Sequence, residues 1–450
     1  MEKDKVLVAG CGISGQGAAR MLLRNGEDVI LYDSNKDLVK ASLLDQFENV
    51  RPQILLGELD AETIDSLKLC VISPGIPLTV PFVKDLMAAQ VPVIGELEAA
   101  YRCGKGRLAA ITGTNGKTTT TALVGEIFAE YYDSSFVVGN IGRSYADSVY
   151  KMDDSSVTVA EVSSFQLEST STFHPNVSAI LNITPDHLDR HGSMEEYIRV
   201  KELIAANQDA QDTCVLNHAD PVLADFGREL GCRVIFFDST ERVPGGLYLD
   251  DGMIMSELSG APETVVRTDE LNILGVHNHE NAMAAIGVAY AMGVPVDVIR
   301  GVLRSFKAVE HRIEFVTEID GIAYYDDSKA TNPDAAIRGI RAMNRPTVLI
   351  GGGYDKGSVY DEWIGAFDGK VKKLILIGQT AEKIAACADS MGFTDYCFAD
   401  SLEEAMQTAA ETAVCGDAVL LSPACASWGM FKNYMERGNR FKELAMKQGS

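Results

Sequence analysis

A strand, a glycine-rich loop and a helix follow one another twice in the first 130 residues, and this arrangement restricts the fold more than any other feature. Gly-Cys-Gly-Ile-Ser-Gly at residues 10–15 directly follows the apolar run 6–9. Gly-Thr-Asn-Gly-Lys-Thr at 113–118 follows the apolar run 108–111. Parallel strands need such crossovers, usually through a helix. The pattern predicts an α/β fold with helices packed on parallel sheets.

The chain has 450 residues, a length typical of about three domains. Short apolar runs alternate with helical patterns throughout, including a helix predicted at 13–24 and a hairpin predicted at 247–255. A connector rich in Gly and basic residues at 103–107 marks one boundary, and a short connector at 307–310 marks another. We predict domains at residues 1–97, 98–308 and 309–450, each built on a mostly parallel sheet.

Charge and cysteine content exclude several classes of protein. Lys and Arg total 40 and Asp and Glu total 64, so the net charge is −24, which argues against nucleic-acid partners and anionic membrane surfaces. The nine cysteines include no Cys-x-x-Cys pair, so a disulfide framework and a zinc ribbon are not expected. No stretch resembles a signal peptide or a membrane span. We expect a cytoplasmic protein without membrane insertion.

The first glycine loop, residues 10–15, matches the G-x-G-x-x-G pattern of diphosphate-binding loops. Its glycines let backbone N–H groups and a helix N-terminus approach a diphosphate. Asp33 ends the next strand, where an acidic residue would bind a ribose hydroxyl. The motif predicts a nucleotide diphosphate without specifying which; a tight turn without a ligand is the alternative.

The second glycine loop, residues 113–118, resembles a triphosphate-binding loop. Lys117 would reach the β- and γ-phosphates, the hydroxyl of Thr118 would bind Mg²⁺, and the amides of residues 115–117 would face the phosphates. Ile111 stands where the general pattern has its first glycine, so a chance match is the alternative. Both loops together favour an enzyme with two phosphorylated ligands. A nicotinamide-dependent oxidoreductase would use only the first loop, and a nucleotide-dependent binding switch only the second.

Polar residues that follow other strands of the middle domain are candidates for metal binding and catalysis. Glu161 follows the apolar run 157–160, and His187 lies just past 180–184, so both would lie at the carboxyl edge of the sheet. Lys201 belongs to a helix predicted to begin at Ser193 and stacks with Tyr197 at i−4. Two interpretations of Lys201 stay open: a chain that reaches to solvent, or a partly desolvated amine open to covalent chemistry.

The third domain also places polar clusters after strands. In 326–333, Asp327, Lys329 and Thr331 would point to one side of an extended segment, and Thr331 or Asn332 would cap the helix that begins at Pro333. His311-Arg312, the Gly-rich segment 351–356 and the segment 422–427 are further clusters. Their shared position at strand ends predicts one crevice.

These motifs together resemble the Mur ligase family over the full length of the chain. The resemblance lies in Thr-Gly-Thr-Asn-Gly-Lys-Thr at 112–118, Asp-Ser-Lys-Ala-Thr-Asn at 327–332, Leu-Ser-Pro-Ala-Cys-Ala-Ser at 421–427 and Phe-Lys-Asn-Tyr at 431–434. It implies a Rossmann-like N-terminal domain, a central ATPase domain with the phosphate-binding loop, and a Rossmann-like C-terminal domain. The implied activity is ATP-dependent addition of D-glutamate to UDP-N-acetylmuramoyl-L-alanine through an acyl phosphate, in peptidoglycan precursor synthesis, by a monomer that needs Mg²⁺. A folylpolyglutamate synthetase, which shares the central loop, is the alternative within similar chemistry.

The resemblance also implies a role for individual residues. Those implied to bind the UDP-sugar substrate are Gly12, Ile13, Ser14, Asp33, Ser73, Gly75, Asn140 and Gln166. Those implied to bind ATP are Gly113, Thr114, Asn115, Gly116, Lys117, Thr118, Thr119, Asn278, Asn281, Arg312 and Asp327. Those implied to bind D-glutamate are Lys329, Thr331, Lys356, Ser427 and Tyr434. The implied catalytic residues are Lys117, Glu161, His187 and Lys201, and the implied metal ligands are Thr118, Glu161, His187 and Lys201 as a carbamate.

Overall fold

The computed structural model describes residues 3–47, 50–307 and 309–448, and its strands form three sheets. Each sheet is mostly parallel and carries helices between successive strands. The predicted α/β class with three sheet-based domains is therefore confirmed. The predicted boundary at residue 308 lies outside the described residues.

The first domain contains a fully parallel five-stranded sheet in the order β3-β2-β1-β4-β5. In β1, Val6 and Val8 pack in one apolar cluster, while Leu7 and Ala9 pack in another. Burial of both faces explains why this strand is a continuous apolar run instead of an alternating one. The elements are β1 (Lys5–Ala9), α1 (Ile13–Arg24), β2 (Asp28–Asp33), α2 (Lys40–Leu44), β3 (Gln53–Leu56), α3 (Ala61–Asp65), β4 (Leu67–Ile72), α4 (Pro81–Ala88), β5 (Val93–Gly95) and α5 (Glu96–Cys103).

The middle domain contains a nine-stranded sheet in the order β14-β13-β12-β11-β10-β9-β6-β8-β7. Neighbouring strands in the part β12-β11-β10-β9-β6-β8-β7 of this order pair in parallel, and β12 pairs antiparallel with β13. The elements are β6 (Arg107–Thr112), α6 (Lys117–Tyr131), β7 (Ser135–Gly139), α7 (Tyr145–Ser148), β8 (Val157–Glu161), α8 (Ser164–Leu167), β9 (Val177–Ile180), α9 (Leu188–His191), α10 (Met194–Glu202), β10 (Thr213–Asn217), α11 (Pro221–Glu229), β11 (Arg233–Asp238), β12 (Leu247–Asp250), β13 (Met253–Ser256), β14 (Glu263–Arg267), α12 (Val276–Ala291) and α13 (Val296–Ser305).

The third domain contains a six-stranded sheet in the order β15-β16-β20-β17-β18-β19, in which only the pair β15 and β16 is antiparallel among the described strands. The elements are β15 (Glu314–Ile319), β16 (Ile322–Asp326), α14 (Pro333–Ala342), β17 (Thr347–Gly351), α15 (Asp361–Gly365), β18 (Val371–Leu376), α16 (Ala381–Ser390), β19 (Tyr396–Phe398), α17 (Leu402–Thr412), β20 (Ala418–Leu421) and α18 (Tyr434–Lys447).

Contacts divide the chain into two compact units. One contains the first domain and the middle domain through Val266 together with Glu280–Leu303, and the other contains Arg267–His279 and the chain from Arg304 onward. Within the first unit, the buried carboxylate of Glu98 on α5 accepts hydrogen bonds from the backbone N–H groups of Ser171, Thr172 and Phe173 at 3.0 Å each. These bonds fix α5 to the middle domain.

Several predicted elements agree with the structure, and others differ. The helix at 13–24 and the hairpin at 247–255 are confirmed, and the hairpin turns at Asp251 and Gly252, which both have positive φ angles. Strand β5 begins only at Val93, so Val91 before it belongs to a loop. Strand β9 ends at Ile180, so the apolar residues at 181–183 after it belong to a loop. Within the described ranges, no helix combines the length and apolar character needed to cross a membrane.

Candidate active site

The first glycine loop forms one wall of a cavity of about 820 Å³ in the first domain. Gly10 has a φ of +110°, and a Cβ atom there would lie 2.5 Å from Ser73 Oγ, so only glycine fits. A Cβ atom on Gly15 would lie 1.9 Å from the carbonyl oxygen of Gly10. The glycines therefore allow the loop to pack tightly on β4 and on itself.

Most of the residues predicted to bind the UDP-sugar line this cavity, namely Gly12, Ile13, Ser14, Asp33, Ser73 and Gly75. The carboxylate of Asp33 accepts a hydrogen bond from the backbone N–H of Cys11 at 3.0 Å, so it also shapes the loop. Sequence reasoning missed the apolar part of the wall, which consists of Leu59, Pro74, Ile76, Pro77, Val80, Pro81 and Phe82. Those residues belong to irregular segments and a helix start that carry no motif.

Asn140 and Gln166, which were also predicted to bind the UDP-sugar, lie in the middle domain beside other polar groups. Asn140 Nδ2 donates to Glu161 Oε1 at 2.9 Å. Gln166 Oε1 accepts from the backbone N–H of Ser163 at 3.0 Å and completes a capping box at the start of α8. In this arrangement both side chains hold neighbouring loops in place.

The second glycine loop leads from β6 into α6. Gly116 caps α6 with a φ of +84°, and a Cβ atom there would lie 2.1 Å from Asn281 Oδ1. The backbone N–H of Asn115 donates to Asn182 Oδ1 at 2.9 Å, which ties the loop to the segment that follows β9. Asn278 and Asn281 lie on α12, where the amide of Asn278 donates to the carbonyl oxygen of Leu274 at 2.8 Å.

Two lysines bond the same backbone carbonyl group at this loop. Lys117 Nζ and Lys201 Nζ each donate to the carbonyl oxygen of Gly113 at 2.8 Å. Lys201 is 1% exposed, and its Nζ lies 4.8 Å from the centre of the Tyr197 ring. Burial, and then the charge of Lys117, lower the pKa of Lys201 well below its ordinary value. The structure therefore contradicts a solvent-reaching Lys201 and agrees with a desolvated amine.

The hydroxyls of the loop differ in their environment. Thr114 Oγ1 is bonded to Thr184 and lies 3.1 Å from Tyr197 Oη, so it ties the loop to neighbouring elements. Thr118 is half-buried at the start of α6, and Thr119 behind it is buried. Of these three, we consider Thr118 the one best suited to meet a ligand.

Glu161 has one carboxylate oxygen that lacks a partner. The residue is 2% exposed, and Oε2 has no hydrogen-bond partner within the part of the chain that the structure describes. A buried, unpaired carboxylate oxygen is costly, and Mg²⁺ prefers such ligands, so this residue fits the predicted cation. His187, with a φ of +52° and a half-exposed side chain, contacts the Phe165 ring at a tilt of 58° with ring centres 4.9 Å apart. Within the described residues, neither Glu161 nor His187 belongs to a group of three His, Cys or carboxylate side chains that lie close enough to share a metal ion.

The third domain brings two of its predicted clusters together through Arg437, a residue that sequence reasoning missed. This guanidinium is buried at the start of α18 and donates to the carbonyl oxygens of Ser328 and Cys425 at 2.9 and 3.0 Å. It also donates to Ser328 Oγ at 3.0 Å. Arg437 therefore connects the segments 326–333 and 422–427, as the prediction of a shared crevice requires. An arginine on an amphipathic helix gives no sequence signal for this role.

The predicted D-glutamate residues surround these segments. Lys329 Nζ lies 5.5 Å from the centre of the Tyr434 ring, and Lys356 Nζ lies 4.6 Å from that of Trp428. Ser427 is buried and Thr331 is half-buried. Asn332, the second of the two candidates, caps α14 by accepting from the backbone N–H of Ala335 at 2.9 Å.

Asp327 and Arg312, both predicted to bind ATP, lie in buried surroundings. Burial raises the pKa of Asp327 from 3.8 to about 7, although Ser422 Oγ donates to its carboxyl group at 2.7 Å and Arg312 adds a positive charge. Arg312 Nε is buried and has no acceptor within hydrogen-bond distance in the described ranges. Such an unpaired donor is suited to an acceptor on a ligand.

Family models match most of the chain. Residues 4–95 match the Mur ligase MurD-like N-terminal domain, residues 111–289 the Mur ligase middle domain, and residues 311–425 the Mur ligase glutamate ligase domain. The chain, a three-domain α/β protein with two glycine loops and a buried lysine, therefore belongs to the Mur ligase family.

Relatives of high identity cover nearly the whole chain. UDP-N-acetylmuramoylalanine--D-glutamate ligase of Lachnospira eligens is 50% identical and covers 99% of both chains. The protein of the same name from Lachnoclostridium phytofermentans is 51% identical, with coverage of 98% of this chain and 97% of its own. Among solved structures, UDP-N-acetylmuramate-alanine ligase MurC of Thermotoga maritima has a TM-score of 0.60 at 20% identity and 99% coverage of both chains. MurF of the same organism, in complex with ADP, has a TM-score of 0.59 at 18% identity, with coverage of 100% and 96%. These structures share the fold.

Proposed function

We propose that this chain is an ATP-dependent ligase that forms an amide between D-glutamate and UDP-N-acetylmuramoyl-L-alanine, and that it works in the cytoplasm in peptidoglycan precursor synthesis. The observation that carries this proposal is the identity of about half of all positions, over nearly the whole length, to ligases of that name. We further propose a monomer with domains at 1–97, 98–308 and 309–450.

The uridine diphosphate occupies the cavity of the first domain in this proposal. Its lining by the first glycine loop and the start of α1 supplies backbone N–H groups at a helix N-terminus, which favours a diphosphate. The apolar wall around Phe82 suits the uracil ring, and Ser14, Asp33 and Ser73 supply the polar contacts. Asn140 and Gln166 then contact the sugar and peptide end of the substrate.

ATP binds to the second glycine loop, with residues 113–119, Asn278, Asn281, Arg312 and Asp327 as its contacts. The substrate carboxylate attacks the γ-phosphate, ADP leaves and an acyl phosphate forms, because a free carboxylate is a poor acyl donor. Lys117 shifts from the loop carbonyls to the phosphate oxygens and reduces the repulsion between the two anions. The D-glutamate amine then attacks the acyl carbon, and phosphate leaves.

Glu161, His187 and Thr118 would hold Mg²⁺, which would neutralise phosphate charge during transfer. The unpaired Glu161 Oε2 supports this assignment. The buried amine of Lys201 supports a carbamate, because a neutral amine reacts with CO₂ and an ammonium does not. A carbamate would also place a negative charge near the Lys117 ammonium, which bonds the same Gly113 carbonyl, and the two groups would attract each other. His187, half-exposed at the edge of the sheet, would orient the incoming amine.

D-Glutamate binds in the third domain, where Lys329 and Lys356 offer ammonium groups and Ser427, Thr331 and Tyr434 offer hydroxyls. Two carboxylates on the amino acid match two cations. The link through Arg437 between the two segments supports a preformed site.

Alternative functions are not favoured. A folylpolyglutamate synthetase does not account for the match of residues 4–95 to the MurD-like N-terminal domain. A nicotinamide-dependent oxidoreductase or a binding switch leaves one of the two glycine loops without a ligand.

The decisive experiment measures phosphate release with ATP, Mg²⁺, UDP-N-acetylmuramoyl-L-alanine and D-glutamate, omitting each component in turn. We expect release that requires all four and an amide product detected by mass spectrometry. Turnover with L-alanine or a folate in place of the proper substrates would contradict the proposal. Oxidation of NADH would support the oxidoreductase instead.

A further inference from the structure

Glu96, the first residue of α5, lies directly behind the first glycine loop. The residue is 8% exposed. Ser73 Oγ donates to Glu96 Oε1 at 2.7 Å, and Ser14 makes a second side-chain hydrogen bond to the same carboxyl group. Both serines line the cavity of the first domain. Among the residues that the structure describes, these two hydroxyls connect the carboxyl group to the cavity.

We propose that Glu96 is a positioning residue whose carboxyl group is neutral while the cavity holds a nucleotide diphosphate, so that binding of the nucleotide takes up one proton. The inference rests on the proposed function of this cavity as the uridine diphosphate site. It adds a proton-linked residue that does not itself touch the substrate.

The chemistry of the two serines explains why the charge of Glu96 matters. An ionised carboxylate only accepts hydrogen bonds, so both hydroxyl protons point toward it and the serine lone pairs remain for the cavity. Phosphate oxygens also only accept, so this state opposes a diphosphate. A neutral carboxyl group donates its own O–H to one serine, which then turns its hydroxyl proton toward the phosphate. One proton moves from solvent to Glu96, and no other covalent bond changes.

The surroundings of Glu96 favour this titration near neutrality. Burial raises its pKa to about 7, while the hydrogen bonds from Ser73 and Ser14 oppose the rise. A nearby diphosphate adds negative charge and raises the pKa further. The elements packed against α5 are α1, α7, α8, β4 and β5. Their titratable side chains are Arg20, Arg24, Tyr145, Asp147, Lys68 and Cys70.

These neighbouring charges are largely balanced among themselves. Arg20 pairs with Asp147 at 2.8 Å, and Lys68 pairs with Glu27. Burial raises the pKa of Glu96, and the hydrogen bonds from the two hydroxyls partly offset that rise. The diphosphate is therefore the group that decides its charge.

Isothermal titration calorimetry of the full chain with UDP-N-acetylmuramoyl-L-alanine tests the inference. Each titration is run at pH 6 and pH 8 in two buffers of different ionisation enthalpy, which reports the protons exchanged. This ligand lacks the phosphate monoester, with a pKa near 6, that would exchange protons if UDP were used. We expect an uptake of about 0.8 protons at pH 8 and about 0.1 at pH 6, and a Kd that rises by about fivefold per pH unit between pH 7 and 9.

Glu96→Gln provides the matching variant, because its amide keeps the shape and always carries donors. We expect it to bind with no uptake and a Kd independent of pH. Glu126→Gln is the control, since burial also raises the pKa of Glu126, which lies on α6 outside the cavity lining. It retains the wild-type uptake.

Three results separate the possible failures. Wild-type binding without uptake at pH 8, or unchanged uptake in Glu96→Gln, would overturn the inference and leave the proposed function intact. A wild-type protein that does not bind the nucleotide would overturn the proposed function as well. If Glu96→Gln does not fold, Ser73→Ala decides: it removes a bond that favours the ionised form, so the pH midpoint of uptake rises, and an unchanged midpoint would overturn the inference.

Discussion

The middle and third domains each place a lysine against a tyrosine ring, and the two lysines differ in burial. Lys201 lies 4.8 Å from the ring centre of Tyr197 and is almost completely buried. Lys329 lies 5.5 Å from the ring centre of Tyr434 and is half-buried, so water still reaches it. The same pair of residue types therefore occurs in two electrostatic environments.

The difference teaches that burial, not the aromatic neighbour, determines what an amine can do. Loss of hydration at Lys201 outweighs the attraction of the ring, which is worth about 1–2 kcal/mol, and its pKa falls. A neutral amine is a nucleophile. An ammonium group that stays in contact with water keeps its use as a partner for carboxylates.

The largest expected effect comes from Lys201→Ala. We expect turnover to fall by about 10²–10³-fold, because this variant cannot form the carbamate that we propose at the phosphate site. Added formate or acetate restores part of the activity by supplying a free carboxylate, whereas Lys201→Arg stays inactive with or without it. Steady-state phosphate release measures each case.

The matched control is Lys151→Ala, because Lys151 Nζ lies 5.6 Å from the Tyr150 ring at an exposed position. Its truncation leaves turnover near wild type. A folded Lys201→Ala protein that is fully active, or one that no small carboxylate rescues, would refute the carbamate. Lys201 and Lys329 would then differ in their packing and not in a chemical role.

Lys329→Ala is expected to have the next largest effect. Loss of an ammonium group from a carboxylate site removes roughly 2–5 kcal/mol, so the KM for D-glutamate rises by about 30-fold or more while that for ATP changes little. Initial rates with each substrate varied separately measure this split. Lys383→Ala serves as control, since Lys383 lies over the Tyr360 ring and pairs with Asp355. Equal changes in both KM values would contradict the assignment.

Asp327 extends the contrast to a carboxyl group and to stability. Its pKa in the folded protein is about 7 against 3.8 ordinarily, so the folded state binds more protons between these values and stability falls as pH rises through that window. Asp327→Asn removes this loss. We expect its free energy of unfolding to exceed that of wild type by about 2–4 kcal/mol at pH 8 and to differ little from it below pH 4. Melting curves at several pH values test this; parallel curves for both proteins would refute it.

Lys356→Ala should have the smallest effect. Lys356 is exposed above Trp428, and exposed charge pairs contribute at most about 1 kcal/mol. We expect the KM for D-glutamate to rise by about twofold to fivefold, with lower sensitivity of the remaining affinity to salt. An effect as large as that of Lys329→Ala would show that Lys356 becomes buried when the amino acid binds.

Sequence reasoning succeeded where local pattern and local chemistry coincide. The ligand cavity at the first glycine loop could be predicted because the glycine spacing, the preceding strand and the following helix all lie within one short segment. Asn332 as a cap of α14 followed from the adjacent Pro333 for the same reason. The roles of the site residues stay predictions that the experiments above test.

Long-range packing limited what the sequence could predict. Burial of Lys201 depends on Thr112 and Gly113, which are distant along the chain, so its helix periodicity alone favoured a side chain that reaches to solvent. Arg437 connects two segments of the third domain. The segment at Ser328 lies about a hundred residues before Arg437 in the sequence, whereas the segment at Cys425 lies close to it. The short strands β3, β7 and β19 were missed, because their residues are mostly only partly buried and their apolar runs are only three residues long.

The bonds made by Glu98 have a consequence for which positions can change. Its carboxylate binds three successive backbone N–H groups at residues 171–173, and every residue except proline has such a group. The backbone part of this link therefore survives any substitution except proline at those three positions. The hydroxyls of Ser171 and Thr172 also donate to the carboxylate, so position 98 has to keep its carboxylate for both kinds of bond. Saturation mutagenesis would show Ser171 as more tolerant than Glu98 and closed mainly to proline, while the buried ring of Phe173 is restricted by its own packing.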